Sequence, residues 1–156
     1  MVRKSKGLKY YESVGRRRGA VARVRLYIVG KDRSVVLENK KQEKFHVKTG
    51  EILLNYKPYT EVLRREEERA RFLQPLRETN SSDRFAICVL VKGGGKSGQV
   101  EASVHGLARA LSIVDTSEFR PILKKQGFLT RDPRVRERRK VGHGGKARRA
   151  KQSPKR

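Results

Sequence analysis

The chain has 156 residues, room for one modest domain, and its 40 Lys and Arg against 16 Asp and Glu give a formal net charge of +24. A body this cationic repels itself until a polyanion neutralises it, so a polyanionic partner is implied. With no Trp, no cationic amphipathic face, and an apolar run from Ala86 to Val91 far short of the roughly 20 residues of a membrane span, neither a membrane-surface nor a spanning role is expected.

The charge gathers at the two ends. Residues 1–25 hold nine basic side chains against Glu12 alone, and residues 131–156 hold twelve against Asp132 and Glu137. Residues 1–14 read as a basic N-terminal extension, 15–130 as a globular nucleic-acid-binding domain, and 131–156 as an extended basic tail.

In chain order, Ala20 to Val29 alternates Val24, Leu26 and Ile28 with Arg23 and Arg25, the period of a half-buried strand that puts both arginines on one face. Residues 34–37 and 44–48 flank the polar run 38–42 and predict a hairpin. Residues 51–55 form another short strand. The Glu/Arg-rich stretch from Tyr59 to Phe72 predicts a helix, which Pro75 should stop or kink. Phe85 to Val91 is apolar on both faces, as a central strand is.

After a glycine-rich turn, Val100, Val104, Leu107, Leu111 and Val114 recur at the spacing of a helix that packs one stripe on a sheet. Ser117 is placed to cap a last helix running to Lys125, closed by Gly127. The sum is an α/β (α+β) domain, a mixed sheet covered by helices. Beyond it, the last 26 residues contain no aromatic and no apolar side chain larger than Val, so alone they cannot offset the entropy of ordering. Fully extended they reach about 85 Å. Asp132-Pro133 resembles a cap followed by a first-turn proline, so the stretch to Lys140 is expected to turn helical once its charge is neutralised.

Candidate chemistry is sparse. Gly93-Gly94-Gly95-Lys96-Ser97-Gly98 invites a nucleotide-loop reading, but that motif needs a glycine where Leu90 stands. Two readings stay open: backbone N–H groups and Lys96 hold a nucleic-acid phosphate, or the glycines permit a tight turn and close packing. His46, His105 and His143 lie far apart with no Cys or carboxylate at ligand spacing, so no metal and no cofactor are expected. His105 suits a packed or RNA-contacting side chain better than a catalytic base. No acid/base pair or activated nucleophile stands out, so the chain does not read as an enzyme and no small-molecule substrate is expected. The lone Cys88 cannot form an intrachain disulfide and reads as a buried, reduced thiol, which points to a cytoplasmic setting.

Several segments resemble one family. Gly15-Arg16-Arg17-Arg18 followed by Ala20-Val21-Ala22-Arg23-Val24 is similar to the opening of the bacterial-type small-subunit ribosomal protein S-nine family. Gly93 to Gln99, continued by Ala102, His105-Gly106 and Arg109-Ala110-Leu111, resembles its strand-loop-helix signature. Gly127 to Glu137 resembles the start of its tail, and Lys146-Ala147-Arg148-Arg149-Ala150 the tail's basic core.

The resemblance implies a two-layer sandwich of the ribosomal-S-five-domain-two type with a left-handed crossover, helices on one face of the sheet, bound to ribosomal RNA in the head of the small subunit beside neighbouring head proteins. It also implies a C-terminal tail that reaches the peptidyl site, where Lys155 and Arg156 contact phosphates of the transfer RNA anticodon stem-loop. The expected ribosomal RNA contacts are Arg16, Arg17, Arg18, Arg23, Arg25, Lys96 and Arg109, then along the tail Arg131, Arg134, Arg138, Arg139, Lys140, Lys146, Arg148 and Arg149. Charge-assisted contacts of this kind position a protein without reading sequence. Two features depart from the family pattern. Residues 31–48 form an insertion with the look of a hairpin, and the tail ends Gln152-Ser153-Pro154-Lys155-Arg156 without the usual aromatic.

Overall fold

The computed structural model describes residues 2–5, 8–29, 34–38 and 43–138. The alternation after residue 20 yields strand β3 (Ala20–Tyr27), with Ala20, Ala22, Val24 and Leu26 forming one fully buried row. Strand β2 (Leu8–Arg17) pairs antiparallel with it through the two-residue turn Arg18-Gly19, and β1 (Val2–Ser5) extends the sheet past β2. Because β2 passes unbroken through residues 14 and 15, residues 8–14, expected in the basic extension, belong to the sheet.

Strand β8 (Ala86–Lys92) lies between β3, to which it is antiparallel, and β6 (Ile52–Leu54), to which it is parallel. With β7 (Lys57–Pro58) at the far edge, the six-stranded order is β1-β2-β3-β8-β6-β7. The turn between β6 and β7 is made by Asn55 and Tyr56, both at positive φ, 52° and 65°. Asn tolerates that region. Its N–H donates to the Val89 carbonyl and its Oδ1 accepts from the Val91 N–H, each at 2.8 Å, so one residue carries the ladder beyond the end of β6.

The expected helix over 59–72 is two helices, α1 (Tyr59–Val62) and α2 (Glu66–Glu78). Leu63 is extended, and the Arg69 guanidinium donates to the Leu63 and Thr60 carbonyls at 2.5 and 2.8 Å, satisfying groups that the break orphans. Glu66, Glu67 and Glu68 then favour a fresh helix start through the helix dipole. Pro75 does not end α2; Phe72, Pro75 and Leu76 are buried together, and that packing carries the helix on to Glu78.

Helix α3 (Lys96–Val114) lays the expected stripe on the sheet, with Val100, Val104, Leu107 and Leu111 buried. Helix α4 (Phe119–Lys125) follows, and its cap differs from expectation. Asp115, not Ser117, accepts the free backbone donors, from Ser117 and Glu118 at 2.9 and 3.0 Å, while the Ser117 hydroxyl is itself bound to Asp115. A carboxylate is the stronger acceptor. Gly127 does close α4: at φ 76° it donates to the Lys124 carbonyl, and Phe128 reaches back to Leu123.

The core lies between these helices and the sheet, with Phe72, Phe85, Phe119, Leu26, Leu76, Leu107 and Leu111 completely enclosed. Each such side chain stabilises the fold by about 2 kcal/mol. At β2 the packing is backbone against backbone. A Cβ at Gly15 would overlap the Ala102 carbonyl and the Gly106 nitrogen, and the buried Ser13 hydroxyl donates to the Gly106 carbonyl at 2.6 Å.

The expected hairpin is present, formed by β4 (Val35–Glu38) and β5 (Lys44–Val47). Residues 39–42 at its tip lie outside the described residues. The hairpin packs Val35, Leu37 and Val47 with Tyr10, Tyr27, Leu53, Ala86 and Cys88, on the sheet face opposite the helices. One end of that face thus gains a layer the helices do not supply.

Candidate nucleic-acid interface

Beyond the hairpin the same sheet face is open. Residues paired in antiparallel register share a face, so Arg16 opposite Val21, Val21 opposite Lys92, and Arg23 opposite Leu90 all belong to it. Arg16, Arg23 and Lys92 are exposed there, as is Val21 at 39 %. Arg18 stands exposed at the β2–β3 turn, in the left-handed region at φ 51°. Lys92 was not among the expected contacts; it ends an apolar strand, and only the register reveals that it shares a face with Arg23.

The glycine loop abuts this turn. Gly93 and Gly94 have φ of 70° and 65°, and a Cβ on either would press into Gly19 or Ala20. Close packing is therefore what those two glycines serve. Gly95 has open space around it and caps α3 with no side-chain bond, so the first N–H groups of the helix and the exposed Lys96 stand at the same end as Arg18.

Four expected RNA contacts are already engaged within the domain. Arg17 is buried and donates to Glu101, to Asp132 at 2.8 Å and to the Arg134 carbonyl at 3.0 Å. Its role is to join β2, α3 and the start of the tail. Arg134 holds Asp132 through bonds of 3.0 and 2.6 Å, though its side chain remains 81 % exposed. Arg25 is half-buried, bonded to Glu12 at 2.9 Å and set over the Tyr10 ring. Arg109 is exposed and gives one bond to the Val14 carbonyl at 2.5 Å. Arg131 and Arg138 are exposed, whereas Arg139, Lys140, Lys146, Arg148, Arg149, Lys155 and Arg156 lie outside the described residues.

Asp132 is spent on these ion pairs, not on a helix, and residues 131–138 of the free chain are irregular. Bonds from Arg134 hold its carboxyl well below the usual carboxylate range. His105 completes the joint. Its Nδ1 accepts from the Arg16 N–H at 3.4 Å, and the ring also bonds the backbone at Leu129. Burial, with Arg109 and Arg131 nearby, pushes its pKa below the ordinary histidine value, so it is neutral at pH 7. No metal-ligating cluster is present among the described residues, and no helix of theirs is long and apolar enough to cross a membrane.

An α+β domain with one sheet face half covered and half basic, and a cationic segment pinned where it leaves the body, has the charge distribution of an RNA-binding protein. The model of the family described as Ribosomal protein S9/S16 matches residues 15–156. The chain belongs to this family, and its role is that of a structural ribosomal protein of the small subunit.

Proposed function

We propose that the chain binds ribosomal RNA in the head of the small subunit through the open sheet face, and that its tail continues to the transfer RNA in the peptidyl site. The uncovered row of Arg16, Arg23 and Lys92, bordered by Arg18 and Lys96, carries this reading. These cations share a face without carboxylate partners among the described residues, the arrangement that releases counterions when phosphates are neutralised. Arg131 and Arg138 continue the charge into the tail, and the residues beyond them supply further phosphate contacts, with Lys155 and Arg156 at the anticodon stem-loop. Neighbouring head proteins complete the surroundings, in a cytoplasmic ribosome, and the reading assigns no catalysis.

Truncation tests the tail. Removing Lys155 and Arg156 should leave subunit assembly intact, because two contacts among many add little total affinity, yet weaken transfer RNA in the peptidyl site. Equal peptidyl-site affinity in truncated and intact subunits would rule the tail contact out.

A further inference from the structure

A cleft of about 250 Å³ opens where β2, α2, α3 and residues 127–134 meet. Arg16, Arg71, Gln74, His105 and Arg131 stand in its wall, together with the ion-paired group of Arg17, Arg134, Glu101 and Asp132. Both carboxylates are already engaged: Glu101 by Arg17 and, at 3.3 Å, by Arg71; Asp132 by Arg17 and Arg134. Arg16 meets the cleft through its backbone N–H, which His105 Nδ1 accepts, while its side chain belongs to the open sheet face; the side chain of Arg131 has no partner among the described residues, and that of Arg71 is 60 % exposed with its single contact. The guanidinium groups of Arg17, Arg71, Arg131 and Arg134 against two carboxylates leave the wall with an excess of two positive charges at neutral His105.

A concave wall with unspent guanidinium donors seeks an anion, and its volume is below the roughly 300 Å³ at which sites for drug-sized ligands begin. We propose that this cleft is an anion site that seats a single phosphate group of the RNA backbone. The inference rests on the RNA-binding reading only for the source of that phosphate. It places a discrete pocket at the root of the tail, held by residues from four parts of the fold, apart from the flat contact of the sheet face. His105 reports on occupancy. It is disfavoured as a cation by burial first and then by Arg109 and Arg131, while the Arg16 backbone N–H occupies its Nδ1; an anion seated beside it offsets the two arginine charges and makes its protonation easier.

The test is a pH titration of the histidine ring protons in the full chain carrying His143→Gln, with and without inorganic phosphate, and again with a short single-stranded RNA. The exposed His46 on the hairpin is the internal control for diffuse counterion effects. The expected result is an upward move of the His105 midpoint in both ligands, well beyond that of His46. The Arg71→Gln/Arg131→Gln variant should cancel it and bind phosphate at least about tenfold more weakly. Both arginines being exposed, a matching unfolding curve establishes that the variant is folded.

A response to phosphate but not to RNA would overturn the backbone assignment. No response, or equal moves in His46 and His105, would overturn the site altogether. Filter binding of a head-domain ribosomal RNA fragment on the same samples separates the two claims. Binding without a His105 response sinks the cleft alone, and no binding sinks the RNA reading itself.

Discussion

Arg17 of β2 donates to Asp132, at the root of the tail, across 2.8 Å, and also to Glu101 of α3. Strand, helix and tail are thereby held at one point. Arg17→Gln should destabilise the domain by about 2 kcal/mol in urea unfolding, because Glu101 and Asp132 lose a shared partner in a half-buried setting. Arg17→Lys should recover only part of this, since an ammonium cannot serve three acceptors in a fixed fork. A variant as stable as the parent would show that the joint is ornamental.

The contact between β2 and α3 predicts a contrast between two glycines. Gly15→Ala must drive a methyl into the Ala102 carbonyl, and should lower stability by about 3 kcal/mol or prevent folding. Gly95→Ala, at negative φ with nothing within 4 Å, should change it by less than about 0.5 kcal/mol. Thermal unfolding of the pair checks both.

These joints also explain what the residues disclosed in advance and what they concealed. The strand around Val24 and Leu26 was legible because its buried row is apolar and its open row is charged. Strand β2 was not. Its helix-facing row reads Tyr11, Ser13, Gly15, Arg17, where the closeness of α3 demands a hydroxyl and a missing side chain and an ion pair demands an arginine. The alternation that marks a strand is therefore absent, and local charge suggested an extension. For the same reason Arg17 resembled its neighbours Arg16 and Arg18, though only those two are exposed; nothing local distinguishes a buried guanidinium when its partners lie near residues 101 and 132. At Pro75 the stop, one of the two outcomes expected, does not occur, since tertiary burial outweighs one lost helical bond.

The hairpin is expected to shield Cys88. Burial raises that thiol to about 11, and its neighbours Leu37 and Val47 are enclosed. Leu37→Ala should cost about 2 kcal/mol and accelerate labelling of Cys88 by a thiol reagent under native conditions, through more frequent local opening. Unchanged labelling would mean that the insertion does not cover the sheet in solution.

Stability should also depend on His105. Its native pKa is lowered, so the unfolded chain binds the extra proton first as pH falls, and stability is complete above the ordinary histidine value of about 6.5. Stability should fall as pH drops from there through the native value. His105→Gln should flatten this dependence in denaturant midpoints measured between about pH 5 and 7. A variant with the parent's slope would place the titration elsewhere.

The central claim is that the compact domain exists to hold cationic surfaces and a cationic tail against folded RNA. A high-resolution map of the assembled small subunit tests it most directly. The account predicts Arg16, Arg23 and Lys92 against RNA phosphates, with the chain beyond Arg138 threaded between RNA segments. A map with that sheet face and the tail both directed into solvent would contradict it.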